Sequence, residues 1–194
     1  MKRILELARN RRSIRRFSRE PVPLQDIRYL LEVARNAPSG ANRQPWRFLI
    51  IGEGEKKDAI RRICEEVERE FHERVSEDLR RWFRERGITW RKQFLSEAPI
   101  LILVFGKRGE PYWIESVWLA IGYLILAAEE LGYSTLTYTP SKLRWANEMF
   151  KVPEEFILQA IIPVGKPSEA PESPGRYSLE EIAYMEDWGE GFNP

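Results

Sequence analysis

Hydrophobic positions along the chain recur with two periods. "KRILELA" sets Ile4, Leu5 and Ala8 at helical spacing, and "PLQDIRYLLEVARNA" repeats it at Leu24, Ile27, Leu30, Leu31 and Ala34 between prolines. "WRFLIIG" predicts a buried strand stopped by Gly52. From Glu53 to about Phe83 the chain is strongly charged, with Ile60, Ile63, Cys64, Val67 and Phe71 on one stripe. That spacing predicts a helix, its second half suited to act as a mobile cover. "PILILVFG", residues 99–106, is the clearest buried strand, rich in aliphatic residues and uniformly apolar. "ESVWLAIGYLILAAEELG" is apolar around most of its circumference, so more than one element must enclose it, either in its own core or in a partner subunit. "STLTYT" and "FILQAIIPVG" predict two further strands, and "SLEEIAYM" a final short helix. Helices first, then strands separated by helices, point to an α+β or three-layer α/β/α domain.

At 194 residues the chain suits one domain, without internal repeats. Pro167, Pro171 and Pro174 make the stretch from about residue 167 to 194 a wrapping arm. A hydrophobic fraction of 43% and a charged fraction of 31% suit a globular protein. The net charge of +1 gives no global argument for nucleic acid. Arg9, Arg11, Arg12, Arg15, Arg16 and Arg19 nevertheless build a local positive field near the start. The single cysteine, Cys64, has no disulfide partner and continues an apolar helix face as a packed thiol. With one histidine, His72, there is no Cys/His metal set, and no metal is expected. The charged start "MKR" and the lack of any run of about 18 apolar residues argue against a signal core or membrane span. A cytoplasmic location is the resulting expectation.

Two short stretches carry candidate chemistry. "RRSIR" groups Arg11, Arg12, Ser13 and Arg15, and forked guanidinium donors beside a hydroxyl suit a phosphate dianion. A solvated basic turn would look the same. "PSGAN" offers small residues, exposed amides and the side chains of Ser39 and Asn42, suited to hydrogen-bonding a planar polar ring or to a plain helix-to-strand connection. No GxGxxG or Walker loop indicates a Rossmann or P-loop nucleotide site.

Taken in order, "RRSIRRF", "APSGANRQPWRF", "GYSTLTYTP" and "PVGKP" resemble the flavin-dependent nitroreductase family over almost the whole chain. The resemblance implies a three-layer α/β/α sandwich with a central, mostly antiparallel sheet, in an interlocked homodimer. It implies FMN bound in two sites at the interface, and electrons passed from NAD(P)H to an aromatic small molecule. Carried over by position, Arg11, Arg12, Ser13 and Arg15 would hold the FMN phosphate and ribitol, and Arg176 would close around the phosphate. Pro38, Ser39, Gly40 and Asn42 would come from the partner to line the isoalloxazine. Thr137 and Thr139 belong to the segment that faces the flavin. Pro140 has no N–H to offer, so Thr139 would contact N5 through its amide or hydroxyl and act as the catalytic residue.

"TLTYTP", together with "TWRKQFLSEAPILILVF" at residues 89–105, resembles the iodotyrosine deiodinase branch of that family. The branch implies a lid, at about residues 66–92, that grips the amine and carboxylate of a halogenated tyrosine. Lys92 matches its lysine, Glu68 its glutamate, and His72 stands where it has a tyrosine. A register one residue earlier offers Val67 and Phe71 instead. Two acceptor classes follow: an aromatic acceptor such as a nitroaromatic or quinone as the leading expectation, and reductive dehalogenation of halotyrosines as the alternative. Non-enzymatic alternatives are a flavin-storing protein without turnover and, for the arginine cluster, a nucleic-acid binder.

Overall fold

The computed structural model describes residues 3–192. Four strands, β1 (Trp46–Ile51), β2 (Ile100–Lys107), β3 (Ser134–Thr135) and β4 (Phe156–Gly165), form one sheet in the order β1-β2-β4-β3, every ladder antiparallel. Beyond β3, Ser13 adds an isolated parallel bridge to Thr135. The sheet is apolar on both faces because its central strands are apolar at odd and even positions alike. Ile100, Ile102 and Val104 of β2 join one buried cluster, and Leu101, Leu103 and Phe105 join the other. In β4, Ala160, Ile162 and Val164 face the first cluster, Leu158 and Ile161 the second. A bulge between Val104 and Phe105 leaves Gln159 without a partner in the register.

Helices complete three layers. On the first face lie α1 (Arg3–Asn10), which buries no residue, α2 (Leu24–Ala34), which supplies Leu30 to the core, and α6 (Trp113–Glu130), which supplies Ile121 and Leu124. On the second lie α3 (Gly54–Arg74), α5 (Phe94–Glu97) and α7 (Trp145–Phe150), which supply Ile60, Leu95 and Ala146. Cys64 is fully buried, and burial pushes its thiol up to about 12, which makes it a packing group. The inner side of α6 is buried, but Ile114, Trp118, Leu119 and Tyr123 stand exposed on its outer side. One chain therefore encloses only half of this apolar helix. Among the described residues no helix is long and apolar enough to cross a membrane.

The charged stretch expected as one helix from Glu53 to about Phe83 is two. Val75 is extended after α3, and Ser76 caps α4 (Glu77–Glu85) by accepting a bond from the Leu79 amide at 3.4 Å. "STLTYT" is also shorter than expected as a strand: only Ser134 and Thr135 join the ladder, and Tyr138 makes a separate bridge to Ile161. The final helix, α8 (Leu179–Ile182), lies in an arm that exposes Tyr177, Leu179 and Trp188.

Leu103 is fully enclosed between β2 and the second helical layer. Leu103→Ala should lower unfolding free energy by about 2–5 kcal/mol. Urea titration checks this, and a loss below about 1 kcal/mol would mean that the site collapses around the cavity.

Candidate active site

A recess of about 520 Å³ opens where the basic segment, the connection after β3 and residues 86–94 meet. Arg15, Arg16, Arg86, Arg91 and Lys92 line it together with Thr137 and Tyr138, and no carboxylate does. The basic segment is extended, with the Ile14 amide donating to the Thr135 carbonyl at 3.1 Å. Ile14 and Phe17 are buried as anchors, which leaves Arg15 and Arg16 outside. Glu169 fastens this backbone from the other side, accepting from the Arg15 amide at 2.5 Å and the Arg16 amide at 3.2 Å. The Arg16 guanidinium pairs with Glu97 at 2.9 Å. That of Arg15 reaches only the Ser13 carbonyl, at 3.4 Å, and meets no carboxylate among the described residues.

The rest of the cluster points elsewhere. Arg12 Nη1 donates to the carbonyls of Arg9, Asn10 and Arg11 at 2.6, 3.1 and 2.9 Å, closing the C-terminal end of α1. Arg12 lines a separate groove with Glu129, whose carboxyl is pushed up by burial and pulled back by Arg11 and Arg12. Arg11 Nη1 donates to Ser13 Oγ at 3.4 Å.

After β3 the chain alternates. Leu136 and Tyr138 turn into the core, while Thr137 and Thr139 face outward. Tyr138 is pinned through both backbone groups to Ile161, at 3.1 and 2.8 Å. Thr139 Oγ1 donates to the carbonyl of Gln159, the bulge residue, at 3.4 Å. Thr137 lines the recess; Thr139 lies beside it.

Two buried charges meet at the recess, Lys92 in its lining and Glu68 beneath it, each 8% exposed. Lys92 Nζ stands 3.6 Å from Glu68 Oε2 and donates to the Thr89 carbonyl at 2.7 Å. Glu68 Oε1 accepts three bonds: from Tyr138 Oη at 3.2 Å, the Ser141 amide at 3.2 Å and Ser141 Oγ at 2.9 Å. Burial holds the Lys92 pKa below the usual lysine value, and Glu68 works against that shift. The Tyr138 phenol is pushed far up, first by burial and then by Cys64 and Glu68. His72, one turn beyond Glu68 on α3, stacks on Phe83 with 4.7 Å between ring centres. Burial, then the charge of Lys92, holds its pKa below the usual histidine value.

The loop of Pro38, Ser39, Gly40 and Asn42 is rigidly held but distant. A Cβ on Gly40 would fall 2.4 Å from the Pro111 carbonyl oxygen, so only glycine fits. The Gly40 amide donates to Ser116 Oγ at 3.2 Å, and Ser116 Oγ donates to the Tyr112 carbonyl at 2.6 Å. Ser39 Oγ accepts from the Gln44 amide at 3.0 Å. Ala41, Asn42 and Gln44 hold φ of 47°, 53° and 48°, a run of non-glycine residues in the left-handed region of the kind found at ligand sites. The loop leads into β1, one edge of the sheet, whereas the basic segment borders β3, the other edge. Arg176 lies in the exposed arm, its Nη1 on the Gly175 carbonyl at 2.5 Å, and does not line the recess.

One chain thus brings Arg15, Thr137 and Lys92 to one recess, with Glu68 beneath it, and keeps the loop and Arg176 away. Tyr138 and Ser141, the partners of Glu68, were not singled out from the sequence. The alternation within "LTYT" marks Tyr138 as the inward residue, but nothing local names a glutamate 70 residues away as its partner. Arg86 and Arg91 lie in a stretch so rich in charge that composition cannot separate lining residues from solvated ones. Among the described residues no group of three or more His, Cys, Asp or Glu side chains is placed to hold a metal.

The chain is similar to known proteins over most of its length. The family model described as Nitroreductase family matches residues 8–166. An iodotyrosine deiodinase of Thermotoga neapolitana is 48% identical over 169 residues, spanning 87% of this chain and 91% of that protein. An iodotyrosine deiodinase of Haliscomenobacter hydrossis is 33% identical over 187 residues, 91% of this chain and 84% of that one. The crystal structure of an oxidised iodotyrosine deiodinase bound to FMN and 3-iodo-L-tyrosine superposes with a TM-score of 0.89 at 44% identity, covering 95% of this chain and 98% of the other. An FMN-bound nitroreductase of Bacteroides fragilis shares the fold alone, with a TM-score of 0.74 at 20% identity over 96% of this chain and 100% of that one. Matched over most of its length by the family model and by relatives at 48% and 33% identity, the chain belongs to the nitroreductase family of FMN-dependent enzymes.

Proposed function

We propose that the protein is a reductive dehalogenase of halotyrosines, acting as an FMN-bound homodimer with NAD(P)H as electron donor. The observation that carries this reading is the buried pair Glu68–Lys92 at the floor of a cationic recess that Lys92 itself lines. Buried opposite charges match the two ends of an amino-acid zwitterion, and neither end is needed to bind a nitroaromatic or quinone. The names of the relatives support the same acceptor class. They favour it over the nitroaromatic or quinone acceptor that the sequence put first. The overall change replaces a carbon–halogen bond by carbon–hydrogen: two electrons and one proton enter, and halide leaves.

The residues fit FMN. Arg15 presents a guanidinium without a carboxylate partner, and the recess lining adds cations and a threonine hydroxyl. In this reading Arg11, Arg12, Ser13, Arg15 and Arg176 hold the phosphate and ribitol, with Arg12 and Arg176 leaving their backbone partners. Thr137 and Thr139 face the ring. When bound, FMN supplies the electrons for the acceptor. Thr139 holds N5 through its amide or through a hydroxyl released from Gln159. Lys92 takes the substrate carboxylate and Glu68 its ammonium. His72, neutral near pH 7 and backed by Phe83, covers the aromatic ring as part of a lid at about residues 66–92.

A second chain supplies Pro38, Ser39, Gly40 and Asn42. Three features support the dimer: the loop and the basic segment border opposite sheet edges, α6 exposes an apolar outer face, and the arm from about residue 167 exposes large apolar side chains. A groove of about 430 Å³ beside edge strand β1, lined by Leu24, Leu31, Trp46, Phe48 and Ile50, suits the partner's arm.

Protein reduced anaerobically and mixed with 3-iodotyrosine should release iodide and tyrosine in step with flavin reoxidation. Reoxidation by a nitroaromatic or quinone, with no iodide from 3-iodotyrosine, would return the acceptor to the broader class. Arg15→Gln should weaken FMN about tenfold or more, since it removes charge-assisted bonds from a dianion. Flavin fluorescence reads this directly, and an unchanged Kd would remove Arg15 from the phosphate site.

A further inference from the structure

Glu68 is held unevenly. Its Oε1 accepts from Tyr138 Oη, the Ser141 amide and Ser141 Oγ, whereas its Oε2 has only Lys92 Nζ, at 3.6 Å. That separation exceeds the roughly 2.7–2.9 Å of a closed charge-assisted hydrogen bond. Three donors on one oxygen fix the carboxylate plane, because rotating it would break all three bonds. The donors are themselves anchored: Tyr138 is tied to Ile161 through both backbone groups, and its ring packs edge-on against Phe94 at 5.5 Å.

We infer that Tyr138 and Ser141 are positioning residues for amino-acid recognition, fixing one oxygen of Glu68 so that the other is presented to a substrate ammonium. This rests on the halotyrosine reading above. A zwitterion entering between Glu68 and Lys92 replaces one long ion pair with two shorter ones. The carboxylate is already oriented, so binding spends no side-chain entropy on Glu68. Ser141 and Tyr138 bracket Thr139 and Pro140, so the same contacts tie the amino-acid grip to the segment that faces the flavin. Neither residue acts on the reacting bond; both act through Glu68.

The test uses FMN-loaded wild type, Ser141→Ala, Tyr138→Phe, the double variant and Ser141→Thr. Each is titrated by flavin fluorescence with 3-iodotyrosine and with 3-(3-iodo-4-hydroxyphenyl)propionate, which lacks the ammonium. Wild type should prefer the amino acid. The double variant should bind 3-iodotyrosine about tenfold more weakly, the loss expected for bonds to a charged group, while the propionate and FMN affinities stay within about twofold. Ser141→Thr should restore most of the preference. Because Ser141 is exposed and its substitution to alanine removes few contacts, that variant alone keeps the test decisive if Tyr138→Phe does not fold. Equal weakening of both ligands, or none in either, would overturn the positioning role and reduce these contacts to satisfying a buried carboxylate. Equal affinity of wild type for the two ligands would overturn the amino-acid grip itself, and the inference with it.

Discussion

Apolar burial on both faces of β2 and β4 is the constraint to which the rest of the molecule answers. Odd and even positions of both strands enter the core, so the sheet's faces offer no place for polar chemistry. Charged and hydrogen-bonding groups are left to the sheet's edges and to the loops at strand ends. The basic segment docks beyond β3, and the strained loop from Pro38 to Gln44 leads into β1. Four strands separate the two, so a flavin that needs both is best served by two chains. The half-covered α6 and the exposed arm follow the same logic: in the proposed dimer these apolar surfaces are the ones a second chain would cover.

Within this frame Glu68 and Lys92 are costly. Removing two ions from water is repaid only when geometry and further hydrogen bonds are favourable. Tyr138, Ser141 and the Thr89 carbonyl supply those bonds, yet the pair itself stays open at 3.6 Å. A pair serving stability alone gains by closing. An open one makes sense when its natural complement is a ligand with both charges. In the proposed reading the site would store recognition as buried, oriented charge, beside a lining whose remaining cations suit a phosphate and a carboxylate.

The layered fold was legible wherever burial writes a continuous signal. "PILILVFG" and "FILQAIIPVG" became β2 and β4, and the outer face of α6 is the part of an all-round apolar helix that one chain cannot cover. The break at Val75 and Ser76 was not legible, because the stretch around it is charged on most faces and its apolar stripe fades after Phe71. β3 shrank to two residues because Pro163, the next hydrogen-bonding position of β4 on its register, has no N–H to donate; pairing resumes only at Tyr138 and Ile161, and inward–outward alternation continues through Tyr138. Candidate site residues could be picked out by type and position. Arg15, Thr137, Glu68 and Lys92 converge at or beneath one recess, while Arg12 is drawn off to the end of α1. The partners of Glu68 were not legible, since they depend on contacts across some 70 residues of chain that no local pattern encodes.

The central claim is that each flavin site joins the basic segment of one chain to the Gly40 loop of another. Complementation tests it most directly. A chain carrying Arg15→Glu and a second carrying Gly40→Val, each expected to lose FMN alone, are refolded together and the mixed dimer is isolated with two affinity tags. Shared sites predict one intact and one doubly defective site, hence one FMN per mixed dimer, read from absorbance against protein concentration. A mixed dimer as empty as either parent would contradict the account, because it would place both elements in a site built by a single chain.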